Sequence, residues 1–253
     1  MNIKEEEIEI FSRQLILKDF NENNFAKLQS KEISIIGIGG IGCPLSQYLV
    51  SSGIKNLTLF DNDIIEKSNL NRQPLFQMND IGKKKTIVAK KRLLQTNPHC
   101  NIKTYNKKIT KENIKLLKNS SIIIDSTDDW KTMRLVNSYA TKNNIPLLSV
   151  SAVGFDIQVA LFENNKKIHI CLECLFPNKK EPDLARCETI GILGTVAGLA
   201  GIIAAQKTIN FFLKFDKNIN ILTLIETKAL LISNIILKKN SKCSLSKIKK
   251  RIN

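Results

Sequence analysis

The sequence predicts an α/β protein: a Rossmann-like, mostly parallel sheet with helices on both faces, extended by antiparallel strands in the C-terminal part. Three observations predict it. Short apolar runs alternate with helical patterns up to residue 150, the order that buries a parallel sheet between two helix layers. A glycine-rich turn, GIGGIG at Gly37 to Gly42, follows the first apolar run directly and opens a helix. Beyond residue 150 that alternation stops and strand-like runs dominate.

Taken in order, Glu5 to Lys18 and Asn24 to Gln29 read as short helices leading into the fold. Ile33 to Ile36 is a buried strand, four residues long and stopped by glycine. Cys43 to Ser52 continues as a helix, with Gly53 as its natural stop. Asn56 to Phe60 is a second strand, ending on the acidic triplet DND. Lys84 to Gln95 has the spacing of an amphipathic basic helix, ended before Pro98. Residues 101–105 form a weak strand and 111–118 a short helix. Ser121 to Ile124 is a strongly apolar strand that ends at Asp125. Asp129 to Thr141 is helical, and Leu147 to Val150 follows Pro146 as the next strand.

In the last hundred residues, Phe155 to Phe162 and Lys167 to Ile170 predict a hairpin around ENNK. A polar loop from Pro177 to Glu188 follows, then an apolar helix, then strands near 219–225 and 229–236. No linker rich in Pro, Gly or Ser divides the chain, and no internal repeat is visible. Residues 1–253 therefore read as one nucleotide-binding domain, with N-terminal helices (1–30), a Rossmann-like part (31–150) and an antiparallel extension with a crossover loop and a buried helix (151–253).

Composition excludes several classes. With 43% hydrophobic residues the chain is not disordered. The start, MNIKEEEIEIFSRQ, has no apolar core of a secretory signal, and six cysteines are too few for a disulfide scaffold. A cytoplasmic protein with reduced thiols is expected. The net charge of +16 comes from lysines spread along the whole chain, with only six arginines and 6% aromatics. Nucleic-acid binding calls for clustered Arg with interleaved aromatics, so no nucleic-acid partner is expected. Thr189 to Gln206 carries no charge, but it is short for a membrane span and holds Gly191, Gly194, Gly198 and Gly201. That favours close packing in the core, and no membrane partner is expected.

The chemistry begins at Gly37, Gly39, Gly40 and Gly42. Glycine lets backbone approach a phosphate, and the helix that opens there attracts negative charge. Asp61, at the end of the second strand and 19 residues after Gly42, stands where a ribose hydroxyl needs an acceptor. These features indicate an adenosine nucleotide without separating NAD, FAD and ATP. The following set does separate them. SNLNRQ (Ser68, Asn69, Leu70, Asn71, Arg72, Gln73) lies just past the second strand, beyond Asp63 of DND. DIGKKK ends on Lys85, and DSTDD sets Asp125 and Asp128 past the third strong strand. Ligands of parallel sheets bind at those carboxyl ends, so Arg72, Lys85 and Asp128 converge there. ATP with Mg2+ uses all three: cations for phosphate charge and a carboxylate for a hard metal. The competing reading of Lys85 is one more solvated lysine in a Lys-rich chain.

FSRQLIL, GIGGIGCPLSQYL, LTLFDND, SNLNRQ, DIGKKK, DSTDD, SAVGF and CLECLFP occur in that order over roughly residues 8–246. Together they resemble the ThiF/MoeB/HesA family, the bacterial relatives of ubiquitin-activating enzymes. The resemblance implies ATP-dependent adenylation of the C-terminal glycine of a ubiquitin-like sulfur carrier ending in Gly-Gly, ThiS for thiamine or MoaD for molybdopterin. It implies ATP contacts at Gly40, Asp61, Ser68 to Arg72, Lys85 and Asp128, the last holding Mg2+. Arg13 of FSRQ stands where the family supplies an arginine to the neighbouring protomer's ATP, which implies a homodimer. Asp129 departs from the family's usual Asn and is expected to add a negative charge beside ATP. SAVGF and LFPNKKEPD lean toward ThiF, whereas SQYL, NLTLFD and TNPH lean toward MoeB. No rhodanese-like extension follows, so a separate sulfur donor is expected.

The cysteines divide into groups. Cys171 and Cys174, in CLEC, have metal-ligand spacing but form only half a zinc site. The family resemblance adds Cys243 as a third zinc ligand and puts Ser246 in place of the fourth. It also implies that Cys187 is the crossover-loop cysteine that ThiF-like members join covalently to the carrier and MoeB-like members do without. Cys43 and Cys100 read as small core residues. The alternatives to an adenylyltransferase are an NAD-dependent oxidoreductase, and a degenerate, non-catalytic family member that acts as a binding partner.

Overall fold

The computed structural model describes residues 5–164, 170–177, 190–215 and 220–245. Two helices come first, α1 (Glu5–Leu15) and α2 (Glu22–Gln29). Asn21 starts the second by accepting the N–H of Asn24 at 3.0 Å. Glu7 fastens α1 to the body of the protein. It is buried, and its carboxylate receives Lys55 Nζ at 2.7 Å and Gln29 Nε2 at 2.8 Å.

The parallel half follows: β1 (Glu32–Ile36), α3 (Gly42–Ser51), β2 (Asn56–Phe60), α4 (Lys85–Thr96), β3 (Asn101–Tyr105), β4 (Ile122–Asp125), α5 (Trp130–Asn143) and β5 (Leu147–Val153). These strands lie in the order β3-β2-β1-β4-β5, all parallel. β4 is buried at every residue, because a central parallel strand is covered on both faces and has no solvent side to furnish. The predicted helix over 111–118 is only a 3₁₀ turn, Ile114–Leu117, while β5 runs three residues beyond its predicted end.

The remaining elements are β6 (Asp156–Phe162), α6 (Leu172–Leu175), α7 (Gly194–Leu213), β7 (Ile221–Glu226) and β8 (Leu231–Ile236). The sheet continues β5-β6-β7-β8, each pair antiparallel. This corrects the predicted hairpin. β6 has β5 on one edge and β7 on the other, so it has no free edge for residues 167–170, of which 167–169 lie outside the described residues. The turn is instead the short one around Gly154, where β5 meets β6. β8 ends the sheet as an exposed edge strand.

Two cores result. On one face, side chains of α1 to α4 and α7 close over Ile33, Ile35, Leu57, Leu59 and Ile124. On the other, α5, the 3₁₀ turn and α6 cover Ile36, Phe60, Ile123 and Leu147. α7 is long and apolar enough to cross a membrane by length and composition, yet half of that apolar stretch is buried inside the protein. It seats against α3 at Gly201, where a Cβ would fall 2.5 Å from the Ile41 carbonyl oxygen. The second face of β1 to β3 stays open, as a cavity of about 730 Å³ that runs from Glu32 over Ser34, Thr58 and Lys103 to Tyr105.

Candidate active site

β1 and β4 are neighbours whose connections leave in opposite directions, and such a switch point opens a crevice at the carboxyl ends of the strands. The glycine loop fills the β1 side of it. Gly37 N–H donates to the Phe60 carbonyl at 2.8 Å, and the Ser126 hydroxyl donates to the Gly37 carbonyl at 2.9 Å. The loop then turns so sharply that a Cβ on Gly42 would lie 2.0 Å from the Gly37 oxygen. No side chain fits there, and α3 therefore begins on glycine. A Cβ on Gly39 would meet only Gln73 Nε2, at 4.0 Å, so the loop presents open backbone. Gln73 is buried beside it, and its Oε1 has no hydrogen-bond partner among the described residues. An open glycine turn at a helix start, next to an unsatisfied buried acceptor, fits a phosphate-bearing ligand.

Asp61 accepts the Ile38 N–H on Oδ2 at 2.7 Å and the Asp63 N–H on Oδ1 at 2.8 Å. It was expected as a ribose acceptor alone; the structure first uses it to tie the glycine loop to the end of β2. Each oxygen keeps a lone pair for a further donor. Burial pushes its carboxyl above the usual range, opposed by the Lys85 charge and by those two N–H groups. Lys85 is only 6% exposed and pairs with Asp63 at 2.8 Å. Lys83 and Lys84 are exposed, the one paired with Asp80 and the other donating to the Asn62 carbonyl. Lys85 alone of the three is turned inward, which decides against the solvated reading.

The segment from Ser68 to Gln73 divides its labour. Asn69 is buried and accepts the Glu66 N–H, closing a 3₁₀ turn, and Leu70 packs on the core. These two side chains build the turn. Arg72 is held by its Nη1, which donates to the Ser68 carbonyl at 2.8 Å and to Asn71 Oδ1 at 3.2 Å. Its stem lies against the glycine loop: a Cβ on Gly40 would be 3.4 Å from Arg72 Cγ.

Past β4, Asp125 is buried and Asp128 is exposed with no ion pair among the described residues, free to take a cation. Asp129 is a different case from the one expected. Its carboxylate caps α5 through the Thr132 N–H at 3.0 Å and pairs with Lys108 at 3.0 Å. Partial burial acts the other way, but the Thr132 and Lys108 hydrogen bonds hold its pKa below the usual carboxylate range. The charge is already compensated, so it is no uncompensated anion beside ATP. Ser126, the clamp on Gly37, carries no charge to mark it in a motif rich in carboxylates; its position directly after the strand is the signal for it. Arg13 is exposed in the last turn of α1, and among the described residues it has no ion pair within its own chain.

Cys171, Cys174 and Cys243 come together as expected, all buried, with their sulfurs within 4.8 Å of one another and Cys171 and Cys243 at 3.7 Å. The Cys171 thiol hydrogen-bonds the Cys174 sulfur and brings the Cys174 pKa down to about 5. Three convergent soft donors fit a thiophilic cation such as Zn2+. Cys43 and Cys100 are core residues, and burial pushes the Cys100 thiol up to about 11. Cys187 and Ser246 lie outside the described residues.

With this geometry in hand, comparison with known proteins is informative. The profile of the ThiF family matches residues 11–245. The ThiS adenylyltransferase of Escherichia coli K12 is 32% identical over 234 residues, covering 92% of this chain and 92% of that protein. The sulfur carrier protein adenylyltransferase of Thermus thermophilus is 31% identical over 222 residues, 86% of this chain and 82% of its own. Adenylyltransferase and sulfurtransferase MOCS3 of Drosophila virilis is 35% identical over 213 residues, and there the chain spans only 47% of the relative's length. Among solved structures, E. coli MccB with MccA-N7isoAsn superposes with a TM-score of 0.80 at 25% identity, over 96% of this chain and 75% of that one. E. coli MccB with ATP gives 0.77 at 25% identity, over 96% and 82%.

Proposed function

The chain belongs to the ThiF family, and on that premise we propose that it is an ATP-dependent adenylyltransferase acting on the C-terminal glycine of a ubiquitin-like sulfur-carrier protein that ends in Gly-Gly. One observation carries the reading. The open glycine loop, Arg72 against Gly40, inward-turned Lys85 and unpaired Asp128 all come after the carboxyl ends of β1, β2 and β4, the edge where parallel sheets bind ligands. The two bacterial adenylyltransferases, similar over most of both chains, support it. A nicotinamide enzyme would have no use for a buried lysine and a free carboxylate around its cofactor, which disfavours the oxidoreductase reading.

The proposed chemistry needs little from the protein beyond placement and charge. The carrier's carboxylate is already ionised at neutral pH. One of its oxygens forms a bond to the α-phosphorus of ATP while the bond from that phosphorus to the bridging oxygen breaks, and the electron pair leaves on pyrophosphate. No proton is transferred, so no general base is required. The loop backbone from Gly37 to Gly42 holds the phosphates, and Asp61 and Gln73 orient the nucleotide. Arg72 and Lys85 offset the charge on the phosphorane-like transition state, where fixed cations stabilise most. Asp128 would hold Mg2+, whose contribution when bound is to neutralise phosphate charge. Arg13 acts from a second copy, in a homodimer.

The continuous eight-stranded sheet supports taking residues 1–253 as one adenylyltransferase domain. A cytoplasmic reaction, a separate sulfur donor, a carrier adduct at Cys187 and zinc on Cys171, Cys174 and Cys243 complete the proposal. The test is ATP–pyrophosphate exchange with purified ThiS-like and MoaD-like carriers. Exchange is expected only with a carrier that keeps its terminal glycine, and the carrier that works names the pathway, thiamine or molybdopterin. ATP binding without exchange on either carrier would overturn the assignment.

A further inference from the structure

We infer that Gly194, the first residue of α7, is a positioning residue for Arg72, and that the start of this apolar helix is part of the machinery that aims the guanidinium. The inference rests on the reading of Arg72 as a phosphate ligand. A Cβ on Gly194 would lie 2.4 Å from the Asn71 carbonyl oxygen and 3.5 Å from Arg72 Cα. Helix and loop are therefore in backbone contact, with no room for a methyl group.

Neither side can retreat. Just before the helix, the Gly154 N–H donates to the Gly191 carbonyl at 2.9 Å, and Gly154 bridges to Ile192, which pins the helix start to the β5–β6 turn. One turn into the helix, Ala197 faces the glycine loop, where a Cβ on Gly40 would sit 3.0 Å from Ala197 Cβ. The Arg72 stem is thus packed beside Gly40 and its backbone against α7. Its guanidinium is bonded to Ser68 O and Asn71 Oδ1, within the same short loop. Moving the Asn71 carbonyl moves the guanidinium with it.

A control lies on the same helix. A Cβ on Gly198 would meet nothing within 4 Å. Gly194→Ala is expected to weaken ATP binding by about tenfold or more, since misplacement by an ångström at a charge-stabilising group is costly, while Gly198→Ala changes it by less than about twofold. Residues that act through one another are non-additive, so in an Arg72→Lys background Gly194→Ala should add almost nothing. Wild-type ATP affinity in a folded Gly194→Ala chain, or the same added loss in both backgrounds, would overturn the inference while leaving the role of Arg72 standing. Unchanged ATP affinity in Arg72→Lys would overturn the phosphate role itself and this inference with it. Hydrogen exchange on the unaltered chain provides a test that needs no variant to fold. ATP should protect Ser68 to Gln73 and Leu193 to Ala197 together, and protection of the loop without the helix start would count as refutation.

Discussion

Asp125 accepts two hydrogen bonds from a single residue, the N–H of Thr127 at 3.1 Å and its hydroxyl at 2.7 Å, both on Oδ1. The carboxyl is buried at the carboxyl end of β4, and burial pushes its pKa from 3.8 to about 6 despite those two bonds. A raised carboxyl pKa means that the folded state holds the proton more tightly than the unfolded chain. The contribution of this group to stability is then fully present below pH 3.8 and is lost as pH rises to about 6. Asp125→Asn keeps an acceptor for Thr127 and removes the titration. Relative to wild type, the variant should gain on the order of 3 kcal/mol between acidic and neutral pH. Urea unfolding near either end of that window measures it, and an equal difference at both ends would refute the assignment.

Asp128, three residues on, carries no ion pair among the described residues. If it holds Mg2+ at the phosphates, Asp128→Ala should lower carrier-dependent pyrophosphate exchange by at least about a hundredfold with the fold intact. Normal exchange in a folded variant would remove it from the site.

Arg13 projects from an exposed position on α1. Arg13→Ala and Arg72→Ala chains, each inactive alone, should recover up to about a quarter of wild-type activity when their subunits are mixed, because a mixed dimer rebuilds one complete site. Subunit exchange without recovery would argue against an arginine supplied in trans.

Adenylation needs no thiol, so Cys187→Ser should retain pyrophosphate exchange. In a ThiF-like enzyme the same variant should lose a reducible adduct with the carrier and fail to support thiocarboxylate formation, since a serine hydroxyl is far too weakly acidic to replace a thiolate. In a MoeB-like enzyme thiocarboxylate formation should survive. Loss of exchange itself would contradict both.

Three buried thiols within 4.8 Å of one another should retain zinc through purification, and Cys243→Ser should lose it. Elemental analysis of the two proteins decides the matter, with a chelator lowering the melting temperature of the unaltered chain only. Zinc-free wild-type protein from zinc-supplemented medium would show that the cluster has given up metal binding.

The parallel half was readable because its central strands β1 and β4 are mostly apolar runs and helices have marked stops, as at Gly53 and before Pro98. Past residue 150 the strands and the apolar helix were still legible, but the pairing of β6 was not, for a physical reason. β6 meets β5 across a short turn on one side and β7, some sixty residues later, on the other, and no periodicity within the segment reports the second pairing. Within the site, residue type marked the groups that carry charge: Arg72, Lys85, Asp128. It did not show which side chains also build the loop. Asn69 and Leu70 share a motif with Arg72, yet they turn inward to make the 3₁₀ turn. Asp129 shows the same limit, because its partner Lys108 comes from a loop that pattern alone does not bring near.

The clamp of Ser126 on Gly37 joins residues 89 apart, and β1 meets β4 over the same separation, with Ile33 beside Ile122. Closing so long a loop costs entropy before any contact repays it, and parallel pairings of this kind are intrinsically slow to form. The helix and strand around the glycine turn can form from local contacts, but the turn acquires its working shape only once β4 has docked. A chain emerging during synthesis would therefore possess its phosphate loop in sequence well before it could grip a nucleotide, and ATP would select for completed sheets by binding nothing earlier.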